Sequence, residues 1–365
     1  MQCVGSLRWC MIVVLVSMGI LLSALFGWAQ ERSGGKISGR VIDDSTNAPI
    51  VSANVFIANT MLGTSTDTSG HFKIKNVPPG SHELVASCIG YAMVSDRIEL
   101  LPGADTTVDI RLRPRFISLG AVEVTAPRPE AWRADLERFT RLLLGTTPEA
   151  LQCRIINPEI LSFSTDVHGN FHAQADSRLI VDNDALGYRL SLSLGEFRSE
   201  SQWIFTDWKV IFEDLLSSRR VEQTVIEQRR DGVYYGSLRH FLVALVGGQL
   251  AKEGFIMYQS PNGARQQLDR VLELNEEDIS KLRDLDRRTL RFTGFLVVEY
   301  DRTRIESFSG RIRAKVSVLS IEKDSVRVDS RGQILDPFSL GVRGDWTKEK
   351  LASQLPLEFH PISKR

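Results

Sequence analysis

ISGRVIDDSTNAPIVSANVFI (37–57) and GTSTDTSGHFKIKNVPPGSHELVASCIGY (63–91) together decide how the first third of this 365-residue chain folds. Ile37 and Val41 flank Gly39, and Ala53, Val55 and Ile57 fall at every second position. The same period recurs at Phe72 and Ile74, at Leu84, Ala86 and Cys88, and at Val108, Ile110 and Leu112. Side chains alternate between the two faces of a strand, so period two predicts half-buried strands. Asp43-Asp44 to Pro49, Asp67 to Gly70, Pro78-Pro79-Gly80 and Pro102-Gly103 punctuate them with turn chemistry. The spacing predicts a seven-stranded antiparallel sandwich over 36–113, with His71 and His82 on its surface.

Beyond the period, particular residues carry a family likeness. Gly39 and Val41 mark the opening strand, Pro49 precedes Ala53 and Val55, and Thr66-Asp67 leads into Gly70-Phe72; Pro79-Gly80 and Gly90-Tyr91 come next. With these marks the stretch resembles the carboxypeptidase-regulatory-like domain, a transthyretin-like β-sandwich of exported and outer-membrane proteins in Bacteroidetes-type bacteria. The resemblance implies a scaffold without zinc, and no peptidase activity.

Upstream, Arg8 precedes an uncharged run from Trp9 to Gln30, with a dense apolar core over Met11–Phe26. Gly27-Trp28-Ala29 places small residues at −3 and −1 of a cleavage site, so 1–29 reads as a signal peptide. The rival is an uncleaved anchor, because the run approaches the roughly 20 apolar residues of a span. Cys10 precedes the apolar run, so no lipid anchor is expected. The 45 basic and 45 acidic residues cancel, which removes the electrostatic motive for binding nucleic acid. Outside the leader only Cys88 and Cys153 remain, and both read as buried thiols.

Pro114, Pro127 and Pro129 mark 114–129 as a semi-rigid linker. Its text ISLGAVEVTAP is similar to the segment that joins such sandwiches to the plug of TonB-dependent receptors. The rest of the chain mixes two periods, so 130–365 is expected to be one α+β domain. Trp132, Leu136, Phe139 and Leu143 have helical spacing, ended by Gly145. Tyr188, Leu190, Leu192 and Leu194 alternate as a strand, succeeded by another over about 202–212. Thr224 to Glu227 has capping-box spacing, and Leu238, Phe241, Leu242 and Leu245 form a stripe closed by Gly247-Gly248. A helix over 276–285 and strands over 292–300 and 311–320 complete the expectation. Asn157-Pro158-Glu159 and Tyr235-Gly236-Ser237-Leu238-Arg239-His240-Phe241 resemble an uncharacterised region found after the sandwich in such bacterial proteins, and this likeness brings no assigned activity.

Catalytic patterns are sparse. His168 and His172 are four apart, but Gly169-Asn170 between them predicts a hairpin rather than a helical ligand pair. Ser237 and His240 are three apart; Ser237 comes directly after Gly236 at the start of an apolar helix and reads as an N-cap. No Gly-x-Ser-x-Gly elbow, zinc-protease pattern or phosphate-cradling glycine motif occurs. No catalytic residue, metal site or cofactor is therefore assigned. The candidate ligand-binding residues are Tyr234, Tyr235, Arg239 and His240, where a cation and free N–H groups at a helix start suit an anion or a sugar hydroxyl. Trp203, Phe205 and Trp208 are read as packing.

These readings lead to a non-enzymatic exported envelope protein, periplasmic or outer-membrane associated. The sandwich is its scaffold or interaction module, and the second domain binds a protein or glycan partner. Membrane contact is expected only through the leader or a partner. The alternatives are a hydrolase without a linear motif in 130–365, and a module coupled to a TonB-dependent transporter.

Overall fold

The computed structural model describes residues 34–115, 130–200, 203–216, 223–260, 272–273, 289–301 and 314–362. The leader, most of the linker and the helix expected over 276–285 lie outside the described residues.

Residues 34–115 form a β-sandwich of two four-stranded sheets. One contains β1 (Gly35–Asp43), β4 (His71–Val77), β7 (Asp105–Thr107) and β8 (Ile110–Leu112). In it β4 runs antiparallel to β1, while β7 and then β8 run parallel to β1 on its other side. The other contains β2 (Asn54–Ile57), β3 (Gly63–Ser65), β5 (Gly80–Ser87) and β6 (Val94–Leu100), in the order β3-β2-β5-β6. Eight strands thus replace the seven expected; just before the run at Ile110 and Leu112, β7 makes a short ladder of its own on β1. Ile37, Val41, Val55, Ile57, Phe72, Ile74, Leu84 and Ala86 fill the space between the sheets, as their alternation requires.

The second unit begins with α1 (Glu130–Leu144), whose Phe139, Leu143 and Leu144 are buried. Then come β9 (Cys153–Ile155), β10 (Leu161–Thr165), β11 (Phe171–Ala175), β12 (Leu179–Asn183), β13 (Tyr188–Glu200) and β14 (Trp203–Asp214). They make one antiparallel sheet in which β13 carries β14 on one side and both β11 and β12 on the other. Helices α2 (Gln223–Tyr234) and α3 (Leu238–Gly247) come next. Thr224 lies inside α2 rather than at its cap; a four-residue spacing match is too short to fix a helix start, and Gln223 instead pairs with Glu227 at 3.0 Å.

A second antiparallel sheet comprises β15 (Phe255–Ser260), β16 (Leu272–Glu273), β18 (Phe295–Tyr300), β19 (Lys315–Ile321) and β21 (Leu340–Gly344). A separate pair joins β17 (Thr289–Leu290) to β20 (Val326–Arg327). One continuous core links both large sheets to α1 and α3, through Phe139, Leu190, Leu192, Phe241, Leu245, Val298 and Leu319.

The two units are docked by backbone. Asn59 N–H donates to Val210 O at 2.7 Å, and Phe212 N–H to Thr60 O at 2.9 Å, forming a parallel bridge between Thr60 and Ile211. Leu357 N–H donates to Asn59 O at 2.8 Å, and Met61 N–H to Glu358 Oε1 at 3.1 Å. Beside this seam Phe56, Ala58 and Val85 are buried with Met93 and Ile211. Phe56 and Val85 point away from the sandwich core, and covering an apolar side chain of this size contributes about 1.5–3 kcal/mol.

Candidate functional site

Residues 234–241 form the junction between α2 and α3, and each side chain there has an architectural task. Gly236 has φ +73°, and a Cβ would sit 2.6 Å from Cε1 of Tyr300 and closer still to Cδ1, so only glycine fits. Ser237 caps α3, its Oγ accepting from His240 N–H at 3.1 Å, and Gly248 at φ +68° closes the helix. Glu349 adds a second partner at this end: its Oε2 accepts from Leu238 N–H at 3.1 Å. Burial raises the Glu349 carboxyl to about 7, against the opposing pull of that hydrogen bond and of Lys315.

His240 is 2% exposed and lies among rings, with centroids of Phe255, Tyr234, Tyr235 and Tyr300 at 4.8, 5.0, 5.3 and 5.7 Å. Its Nδ1 accepts from Gly236 N–H at 3.0 Å, so that nitrogen carries no proton. Nε2–H then donates to Glu253 Oε2 at 3.1 Å. Both ring nitrogens are engaged inside the fold, and the Ser237 hydroxyl faces the backbone of His240 rather than its ring. Activation of a nucleophile needs an unengaged basic nitrogen beside the hydroxyl, and this arrangement does not supply one.

Arg239 points to the C-terminal segment. Its guanidinium donates to the carbonyl oxygens of Arg331, Leu355, Pro356, Leu357 and Phe359, at 2.7–3.4 Å. Of the four candidate residues, the structure gathers Tyr234, Tyr235 and His240 around one cluster, while Arg239, its guanidinium 5.8 Å from the centroid of the Tyr234 ring, commits its N–H groups to the tail. A cavity of about 330 Å³ opens beside the cluster, against Val243, Gln249 and Glu253. Burial raises the Tyr234 phenol above its ordinary range.

The remaining histidines are placed by turns and by the docking seam. His168 and His172 lie in and after the β10–β11 hairpin turn, where Asp166 accepts from His168 N–H and Asn170 N–H and meets His172 Nε2 at 3.2 Å. His82, expected on the surface, is 2% exposed. It shares the inward parity of Leu84 and Ala86, and Arg331 of the second unit lies against it. Its Nε2 meets Pro78 O at 2.6 Å, and Arg331 Nη1 lies 3.3 Å from its Nδ1. Burial, and then the charge of Arg331, depress its pKa. Among the described residues no cluster of three or more His, Cys, Asp or Glu is arranged to hold a metal ion. Cys88 and Cys153 are unbridged and half-buried, and burial pushes the Cys153 thiol up to about 12.

The packing of Trp208 against the second core agrees with its reading, while the side chains of Trp203 and Phe205 lie outside the described residues. What sequence reasoning missed is the docking face. Its signal was visible in Phe56 beside Val55 and Ile57, and in Val85 between Leu84 and Ala86: strands apolar on both faces are covered on both.

Comparison with known proteins assigns the N-terminal unit. Residues 37–124 match the CarboxypepD_reg-like domain, so this part of the chain is such a domain, and the match continues past the expected boundary at Arg113. No curated protein matches the chain. Among solved structures, a cohesin–X-dockerin complex from Acetivibrio cellulolyticus is 24% identical over 22% of this chain and 58% of that one, with a TM-score of 0.20. A minor pilin of Streptococcus agalactiae is 16% identical over 26% and 49%, with a TM-score of 0.21. Catechol 1,2-dioxygenase from Pseudomonas arvilla C-1 is 14% identical over 28% and 58%, with a TM-score of 0.20. The chain spans less than two thirds of each of these structures, and the similarity is too slight to argue from.

Proposed function

We propose that the protein is a non-enzymatic exported envelope protein. In it the CarboxypepD_reg-like sandwich braces an α+β domain, and that domain binds a protein or glycan partner. The observation that carries this reading is the docking seam at Asn59–Met61. There the sandwich commits a turn, an apolar patch and the Lys209–Glu83 ion pair at 2.8 Å to holding the second unit, which is what a scaffold does. The engagement of both His240 nitrogens and the commitment of Arg239 to the tail support an architectural role for the Tyr235–Phe241 run. The uncharged run from Trp9 to Gln30 supports export, and the likeness of residues 157–159 and 235–241 to a region found after such sandwiches supports a Bacteroidetes-type origin. No described helix is long and apolar enough to cross a membrane, which leaves β-barrel spans and the undescribed residues untouched.

The test is expression with the native N-terminus in a Gram-negative host, then fractionation, N-terminal sequencing and in-cell crosslinking. The expected result is a chain beginning at Gln30 in the envelope fraction, crosslinked to an envelope protein or glycan. A cytoplasmic chain retaining Met1 would refute the export claim. Turnover of an ester, amide or glycoside panel that disappears in a folded His240→Gln variant would refute the non-enzymatic claim.

A further inference from the structure

Where the sandwich meets the first sheet of the second unit, a cavity of about 560 Å³ opens. It exists because the ladder on one side of β13 is interrupted: β12 pairs as far as Leu192, β11 resumes at Phe197, and the register shifts between Leu194 and Phe197. Its sandwich wall is the turn containing Ile89, Tyr91 and Met93; its opposite wall contains Ile180, Ser193 and Leu194. A joint between domains where apolar walls meet polar groups can hold a small molecule, and the volume falls in the usual range of about 300–1,000 Å³.

Two polar groups on that wall have no use within the described fold. Ser193 is 7% exposed, yet its Oγ makes no hydrogen bond. Buried hydroxyls almost always have a partner, so an orphaned one in the lining of a cavity leaves a polar group for a ligand to engage. Arg178 is half-buried on the same cavity, and its guanidinium meets no carboxylate or carbonyl among the described residues. Lys209, opposite Ser193 on β14, is already paired with Glu83 at 2.8 Å. Arg115 and Asp176, both exposed, also line the cavity, so its described charged lining is two arginines and one aspartate.

From this juxtaposition we propose that the interdomain cavity binds a small monocarboxylate with an apolar body. Its head group is held by the fork of Arg178 and the hydroxyl of Ser193, and its tail lies against Ile89, Tyr91 and Met93 of the sandwich wall. A planar guanidinium matches a carboxylate in geometry and charge, and the apolar walls account for the rest of the molecule. Because the ligand touches both units, it also tightens their docking. This inference does not depend on the envelope role.

The experiment is isothermal titration of the full chain with decanoate and with 1-decanol, each below its aggregation limit, at neutral pH. Decanoate is expected to bind at one saturable site and to raise the melting temperature, with 1-decanol at least about tenfold weaker. Arg178→Gln is expected to weaken decanoate about tenfold or more, and Ser193→Ala severalfold. Ser193→Ala serves as the folding control, because removing an unpaired buried hydroxyl leaves the melting temperature of the unliganded protein unchanged or higher. Absence of saturable decanoate binding would overturn the proposal. So would equal affinity for 1-decanol, or undiminished decanoate binding by a folded Ser193→Ala or Arg178→Gln chain.

Discussion

Replacing Gly236 by alanine separates two costs that this position combines. The backbone there holds φ +73°, a conformation that costs an L-residue about 1–2 kcal/mol. The added Cβ also meets the Tyr300 ring, with Cε1 at 2.6 Å and Cγ at 2.9 Å. That ring packs on His240 and Phe255, at centroid distances of 5.7 and 4.9 Å, so it has little room to retreat. Overpacking of this kind costs about 1–3 kcal/mol. The sum is about 2–5 kcal/mol, a large share of the roughly 5–15 kcal/mol that holds a domain folded. Gly169→Ala supplies the comparison: φ is +83°, but nothing lies within 4 Å of the added Cβ, so it carries only the backbone cost. By thermal unfolding monitored by circular dichroism, Gly236→Ala should lower the melting temperature by roughly 5–15 °C and Gly169→Ala by about 2–6 °C. Equal shifts in the two variants would refute the ring contact as the reason for glycine at 236.

The tail clamp and the buried titratable groups respond to mutation and pH in their own ways. Arg239→Met removes a charged donor from the carbonyls of the tail and should cost about 3 kcal/mol; limited proteolysis should then cut within 355–362, with Arg239→Lys only partly protected. Burial raises the folded pKa of Glu349 to about 7, above the ordinary 4.5. The unfolded state therefore releases its proton first, and the contribution of this group to stability falls as pH rises from about 4.5 to 7, by about 3 kcal/mol at most. Denaturant titrations of Glu349→Gln across that window should show the slope removed. His82 has the opposite sign of effect: its folded pKa is depressed below 6.5, so the unfolded state takes up the proton first, and stability is lost as pH falls below about 6.5. His82→Gln should flatten that limb of the curve. Intact-mass labelling should find both Cys88 and Cys153 as thiols after denaturation without reductant, with Cys153 the slower to alkylate in the native chain.

The legibility of this fold depends on the length scale of each signal. Period-two runs such as Val55 to Ile57 and Tyr188 to Leu194 are local and strong, and they placed strands where the structure has them. The stripe from Leu238 to Leu245, with Ser237 before it and Gly248 after it, placed α3 and its caps for the same reason. β7 was not legible, because Asp105-Thr106-Thr107 is a polar run without apolar alternation. At the candidate cluster, sequence put Tyr234, Tyr235 and His240 together by adjacency along the chain. It could not show that His240 reaches Glu253, or that Arg239 turns to Leu355–Phe359, since these partners meet only through tertiary packing. His82 was misplaced because the residue that meets it, Arg331, comes from about 250 positions away. The interdomain cavity had no sequence signal at all: Arg178 and Ser193 become notable only through what they fail to touch.

The docking of the sandwich on the second unit is tested most directly by amide hydrogen exchange at Asn59 and Phe212 in the intact chain. Asn59 donates to Val210 O and Phe212 to Thr60 O, across a seam flanked by Phe56 and Ile211, so both amides should exchange as slowly as those in the core of β13. Exchange at the rate of an open surface turn, with β13 still protected, would contradict the account.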